Sequence, residues 1–289
     1  MSGNQLAELL AKEASDALEP LFGLLESIRE DVLAIRPPRA PLTEAHFSGL
    51  QRRLADVLQG RHDVWGMGFI AAPFVVEGKE RYLAWWQRRG DDRVARLRLN
   101  FDPTSVDVYD YLQMDFYQLA QRGQARVAYG PYVDYSGSDM YTITATVPVV
   151  ADEVFLGIAG ADLVVGEVER NLLAVLRQTA RDAVVVNTER RVLAANTPRW
   201  FVGSRLPQMP EQSANPRPDE FREVAEMPLG TGWVVAIGLF ALDGVETISC
   251  FRAVIEGSGW LGVCRRRSGR ARGRAECPGA VWTWRCCRS

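Results

Sequence analysis

Residues 126–167 read RVAYGPYVDYSGSDMYTITATVPVVADEVFLGIAGADLVVGE, and the cadence of this stretch is that of three short strands. Residues 127–132 are aromatic and β-branched, residues 140–150 alternate Tyr, Ile, Ala and Val with Thr, and residues 154–165 are almost continuously apolar. That pattern predicts an antiparallel run. A polar turn, Asp134-Tyr-Ser-Gly-Ser-Asp139, joins the first two, and its Gly and Ser let the backbone reverse. Two carboxylates stand out. Asp134 follows the Tyr129-Gly-Pro-Tyr132 corner, and Asp162 interrupts an apolar strand just before a helix expected to begin near Glu167. A strand aspartate is costly to bury unless something pairs with it. The ordinary readings are a helix cap for Asp162 and a turn former for Asp134; the alternative is a pair of charges facing one ligand.

Working outward, the chain opens with a helix over residues 5–35, where Leu6, Leu10, Ala14, Leu18, Leu21, Leu25, Ile28 and Val32 recur at three- and four-residue steps. Pro20 is expected to kink or split it. The leucine stripe reads as a packing face, with a homodimer seam as the alternative. The Pro-rich segment 37–41 ends this helix, and Thr43 is the predicted N-cap of a second that runs to Gly60. Residues 64–76, 81–88 and 94–100 read as strands, the last two joined by a turn at Gly90-Asp-Asp92. A loop over 102–110 leads to a helix over 111–122. The result is an α+β unit, one sheet with helices on one side. Downstream, residues 167–181 read as a helix, 183–187 with 191–196 as a hairpin, and 220–227 with 232–239 as a further strand pair. The domain reading is a helical region over 1–62, a larger lobe over 63–180, a smaller, similar lobe over 181–241 and an irregular tail over 242–289.

Composition narrows the function. The chain has 289 residues, 47% of them hydrophobic, and a net charge of -2, which gives no reason to expect a nucleic-acid partner. Glu8, Glu13, Asp16 and Glu19 break up the first residues, so no signal-peptide pattern is present, and no apolar run reaches the ~18 residues of a membrane helix. The expected location is the cytoplasm, without membrane association. Lys12 and Lys79 are the only lysines beside a wealth of arginine, a bias expected of a GC-rich bacterial genome. With His46 and His62 as the only histidines, a metal centre or a Ser-His-Asp triad has little material, and no cofactor is expected. All five cysteines, Cys250, Cys264, Cys277, Cys286 and Cys287, lie in or near the Arg-rich tail. That tail reads either as a basic interaction segment or as a frameshifted end that never packs.

The run Tyr82-Leu-Ala-Trp85-Trp86, then Gly130-Pro-Tyr-Val-Asp134 with its Ser-Gly turn, then Pro148, then Gly157-Ile-Ala-Gly-Ala-Asp162 resembles double Cache (PDC-type, PAS-like) sensor domains. The likeness extends over residues 6–239 in order of elements. It implies a long N-terminal helix followed by two PAS-like lobes, each an antiparallel sheet flanked by helices. In the amino-acid- and amine-binding members, an aromatic pair, a Tyr-x-Asp corner and a later aspartate surround the ligand ammonium. Those roles would fall on Trp85, Trp86, Tyr132, Asp134 and Asp162. Strand alternation allows only one of the two tryptophans to face the pocket.

The resemblance also implies an arginine at the position of Leu83, where relatives hold the ligand carboxylate. Leucine cannot supply a bidentate fork, so the expected ligand is a cationic amine without an α-carboxylate: a monoamine, diamine, polyamine or quaternary ammonium compound. Two charge-assisted hydrogen bonds of ~1.5–3 kcal/mol each and cation–π contacts of ~0.5–2 kcal/mol suffice for micromolar binding. The favoured function is a sensor that signals through an unidentified output partner. The alternatives are a helix-mediated dimeric interaction protein with a vestigial pocket, and an enzyme using Asp134 and Asp162 as an acid/base pair.

Overall fold

The computed structural model describes residues 4–241 apart from 38–39, 90–92, 103, 107, 136–138 and 218–219, together with 274–277 and 280–283. The chain begins with α1 (Gln5–Ile35), whose buried face comprises Ala7, Leu10, Ala11, Ala14, Leu18, Leu21, Phe22, Leu25, Ile28 and Val32. This is the apolar stripe of the sequence, and it is consumed by the protein's own sheets, leaving Leu9 half-exposed. Pro20 does not split the helix. It lies on the exposed side, where the carbonyl it leaves unbonded is open to water. At the start of α1 the backbone N–H groups of Leu6 and Ala7 donate to Glu223 Oε2 at 3.0 and 3.2 Å, so a carboxylate meets the positive end of the helix dipole. Thr43 stands at the N-cap of a 3-10 turn, Glu44–Phe47, that leads into α2 (Ser48–Gly60).

Six antiparallel strands form the larger sheet: β1 (Val64–Ala71), β2 (Leu83–Arg89), β3 (Arg93–Arg96), β4 (Val127–Val133), β5 (Tyr141–Ala151) and β6 (Val154–Val164), in the order β3-β2-β1-β6-β5-β4. Residues 126–167 supply β4, β5 and β6, the antiparallel run at one side of this order. β1 stops at Ala71, short of the expected residue 76. β3 is also shorter than expected, because after Leu97 the chain leaves β2 to form the loop that crosses the sheet. The helix expected over 111–122 is a 3-10 turn (Tyr111–Gln113) followed by α3 (Asp115–Gln121). α3 corrects the expectation of helices on one side only. One face of the sheet packs in a core with α1, α2 and α4 (Val165–Leu176), and the other is covered by α3 and the loop before it.

The smaller sheet has the order β8-β7-β10-β9, from β7 (Arg181–Val186), β8 (Val192–Ala195), β9 (Phe221–Glu226) and β10 (Val234–Ala241). α1 crosses both sheets. Arg126, just before β4, donates to Glu19 at 2.7 Å and to Glu26 at 2.8 Å on α1, with its guanidinium over the Phe22 ring. Together these elements give an α+β protein with a long N-terminal helix and two antiparallel sheets flanked by helices. Beyond Leu242, where the first compact unit ends, the hairpin β11 (Arg274–Cys277) and β12 (Ala280–Thr283) is described. The remainder of the tail expectation, like the turns at 90–92 and 136–138, lies outside the described residues. No helix among the described residues is long and apolar enough to cross a membrane.

Candidate functional site

Register decides which side chains share a face. Trp85 pairs with Gly68, Gly68 with Gly160 and Gly160 with Thr146; in the next row Gln87 pairs with Gly66, Gly66 with Asp162 and Asp162 with Thr144. These residues look toward α3. Trp86, one residue along, belongs to the opposite core with Met67, Ala159 and α1. Of the two tryptophans proposed from sequence, Trp85 therefore lines the cavity and Trp86 does not; the period of two forbids both.

Gly66 and Gly160 form a floor for the Trp85 indole. A Cβ on Gly66 would lie 2.6 Å from Trp85 Nε1, so the ring can lie across β1 only because that position lacks a side chain, and its far edge reaches Gly160 of β6, where a Cβ would come 3.4 Å from Cζ3. Trp85 Nε1 is buried and has no hydrogen-bond partner among the described residues.

β4 reaches the same cavity through a bulge. Tyr129 pairs with Thr144, but Tyr132 rather than Pro131 pairs with Thr142. The extra residue turns Tyr132 to the face of Tyr129, and the two rings sit 5.6 Å apart. Asp134, two residues on, follows onto that face. Its N–H donates to the Met140 carbonyl and its own carbonyl accepts from Asp139, which closes the turn while the carboxylate lines the cavity.

Trp85, Tyr132, Asp134 and Asp162 are thus brought to one cavity, with Leu83, Ile70, Leu97, Leu99 and Phe116 as apolar walls. Asp134 and Asp162 are 7% and 6% exposed. Asp162 does not cap the helix that follows, since α4 begins at Val165 without a side-chain cap. Instead Asp162 Oδ1 accepts from Thr144 Oγ1 at 2.8 Å, and Thr144 Oγ1 is 2.7 Å from Tyr132 Oη. Desolvation raises the Asp162 pKa to about 7, against the lowering effect of the Thr144 hydrogen bond and with a smaller raising contribution from Asp134. Burial, and then the nearby Asp134, Tyr132 and Asp162, push the Tyr109 hydroxyl far up. The cavity is small, with free space for about one water molecule.

Tyr109 and Thr144 also line the site and were not picked out from sequence. Thr144 is one of three alternating threonines, a pattern ordinary for any strand. Tyr109 comes from a loop whose path periodicity does not describe. No lysine or arginine is among the described lining residues. Arg81 is engaged by Asp110 at 3.2 Å, and Arg88 points away, donating to the carbonyls of Leu58, Arg61 and Val64. Among the described residues no cluster of His, Cys, Asp and Glu is built to hold a metal ion.

Residues 50–169 match the family model of the methyl-accepting chemotaxis protein-like first PDC sensor domain. Among solved structures, the ligand-binding domain of Campylobacter jejuni chemoreceptor Tlp3 in complex with L-valine is similar at 13% identity and TM-score 0.51, covering 81% of this chain and 90% of that one. The ligand-binding domain of the Pseudomonas aeruginosa PAO1 amino acid chemoreceptor PctC in complex with GABA is similar at 17% identity and TM-score 0.51, over 81% and 96% of the two chains. At these identities the likeness is one of fold. No curated protein matches the sequence.

Proposed function

We propose that this protein, whose residues 50–169 match the model of a PDC sensor domain of the chemoreceptor type, recognises a cationic amine and reports its occupancy to an output partner. The observation that carries the reading is charge balance. Two buried carboxylates, Asp134 and Asp162, face one cavity whose described lining contains no basic side chain. A cation entering there gains charge-assisted hydrogen bonds of ~1.5–3 kcal/mol each, and Trp85, Tyr109 and Tyr132 offer aromatic faces. Ligand carboxylates are disfavoured. The L-valine and GABA of the similar structures each carry one, but here Leu83 lines the cavity and the charged groups among its described lining residues are both carboxylates. An unpaired buried carboxylate costs several kcal/mol, on the order of a thousandfold in affinity.

A thermal-shift panel that pairs each L-amino acid with its decarboxylated amine tests this reading. The amines are expected to raise the melting temperature and the parent amino acids to leave it unchanged. Greater stabilisation by the amino acids would overturn the specificity.

A further inference from the structure

The hydrogen-bond chain from Tyr132 through Thr144 to Asp162 has a direction. An ionised carboxylate only accepts, and a threonine hydroxyl has a single proton. With Thr144 Oγ1 2.8 Å from Asp162 Oδ1, that proton is committed to Asp162. Across the 2.7 Å contact between Tyr132 Oη and Thr144 Oγ1, the proton must then come from the tyrosine. The phenolic oxygen, on a side chain that lines the cavity, is left with lone pairs able to accept. Tyr132 Oη, the second oxygen of Asp162 and the Asp134 carboxylate, which can accept a further donor beside the partner it already has, therefore present three acceptor groups to one desolvated space.

We propose that Thr144 is a positioning residue that sets Tyr132 as an acceptor, and that the site thereby selects a primary ammonium over N-methylated and quaternary ones. The inference rests on the amine reading above. A primary ammonium carries three N–H donors, one for each acceptor group. Each methyl removes a donor and leaves a buried acceptor facing carbon, which is the costly outcome for a desolvated polar group. The aromatic faces attract any of these cations, so the discrimination comes from the acceptors. Without the Thr144 hydroxyl, the tyrosine proton loses its partner and is free to turn toward the ligand, where it would oppose a cation.

Calorimetric titration of the full chain at pH 8.5, where Asp162 is ionised, tests this with two series. One is ethanolamine, its N-methyl and N,N-dimethyl forms and choline; the other is isobutylamine and its three N-methylated counterparts. The expected result is a loss of about tenfold in affinity per methyl. Thr144→Val should reduce primary affinity and bring the primary-to-quaternary ratio to within a few fold of one, while Thr144→Ser should retain the wild-type ratio. The serine variant and a melting curve for each protein separate positioning from misfolding. Quaternary binding as tight as primary, or a wild-type ratio in Thr144→Val, would overturn this inference and leave amine recognition standing. Absence of binding by every member of both series would end both.

Discussion

Asp162 is the residue whose chemistry is most altered by the fold. Burial moves its pKa from 3.8 to about 7, with consequences of opposite sign for stability and for binding. A carboxyl whose folded pKa lies above its unfolded value contributes stability that is fully present below the unfolded pKa and is lost as pH rises through the folded one. The ligand-free protein should therefore lose up to a few kcal/mol between pH 4 and pH 8 from this group, on the order of 4 kcal/mol, and Asp162→Asn should flatten that part of the melting profile. Binding of a cation runs the other way, since it requires the ionised form. Apparent affinity is expected to fall roughly tenfold for each pH unit below about 7, measured by calorimetry across pH 5.5–8.5. Asp134→Asn and Asp162→Asn should each abolish amine binding at pH 8 while the protein still melts cooperatively, because either change leaves a buried cation underpaired. Undiminished binding in both would refute the carboxylate pair.

Among the elements, β1 and the link between β4 and α1 control the site from beneath and beside it. Gly66→Ala places a methyl 2.6 Å from Trp85 Nε1 and 2.9 Å from Gln87 Cβ, so the indole must lift from its floor and β2 must shift slightly at Gln87. The expected outcome is a folded protein with amine affinity lowered about tenfold and a shifted tryptophan emission, read by fluorescence titration; unchanged emission would show that the floor is not needed. Arg126 bonds two carboxylates of α1 at the foot of the strand that carries Tyr129 and Tyr132. Glu19 is half-exposed and Glu26 about a third exposed, so the loss in Arg126→Ala is held to ~1–2 kcal/mol. Chemical denaturation should show that loss as a lower midpoint at an unchanged slope.

At the scale of the whole molecule, the described cores run from Ala7 to Ile237, and the first compact unit ends at Leu242. A chain terminated after Leu242 is expected to melt within about two degrees of the full protein and to bind amines equally well. A drop of several degrees would show that residues 243–289 support the core. α1 is the element common to both sheets: Glu223 of β9 holds its start, and Arg36, just past its end, pairs with Asp152 in the β5–β6 turn.

The sequence by itself determined the elements whose signal is local and periodic. The leucine stripe of α1, the alternation in β5 and the apolar run of β6 each report on neighbours within a few residues, and their boundaries fall within a residue or two of those observed. It also singled out Asp162, because an aspartate inside an apolar strand is costly unless something pairs with it, and Asp134 by its place after the Tyr129-Gly-Pro-Tyr132 corner. Alternation alone required that Trp85 and Trp86 part, but not which would face the cavity. Tertiary structure decided the rest. The cross-sheet register seated Trp85 on two glycines and sent Trp86 into the opposite core, the one-residue bulge turned Tyr132 and Asp134 inward, and the loop before α3 delivered Tyr109. The Tyr132–Thr144–Asp162 chain links three strands across two pairings. Its members lie 12 and 18 residues apart, and no pattern within one strand can encode a hydrogen bond made between strands.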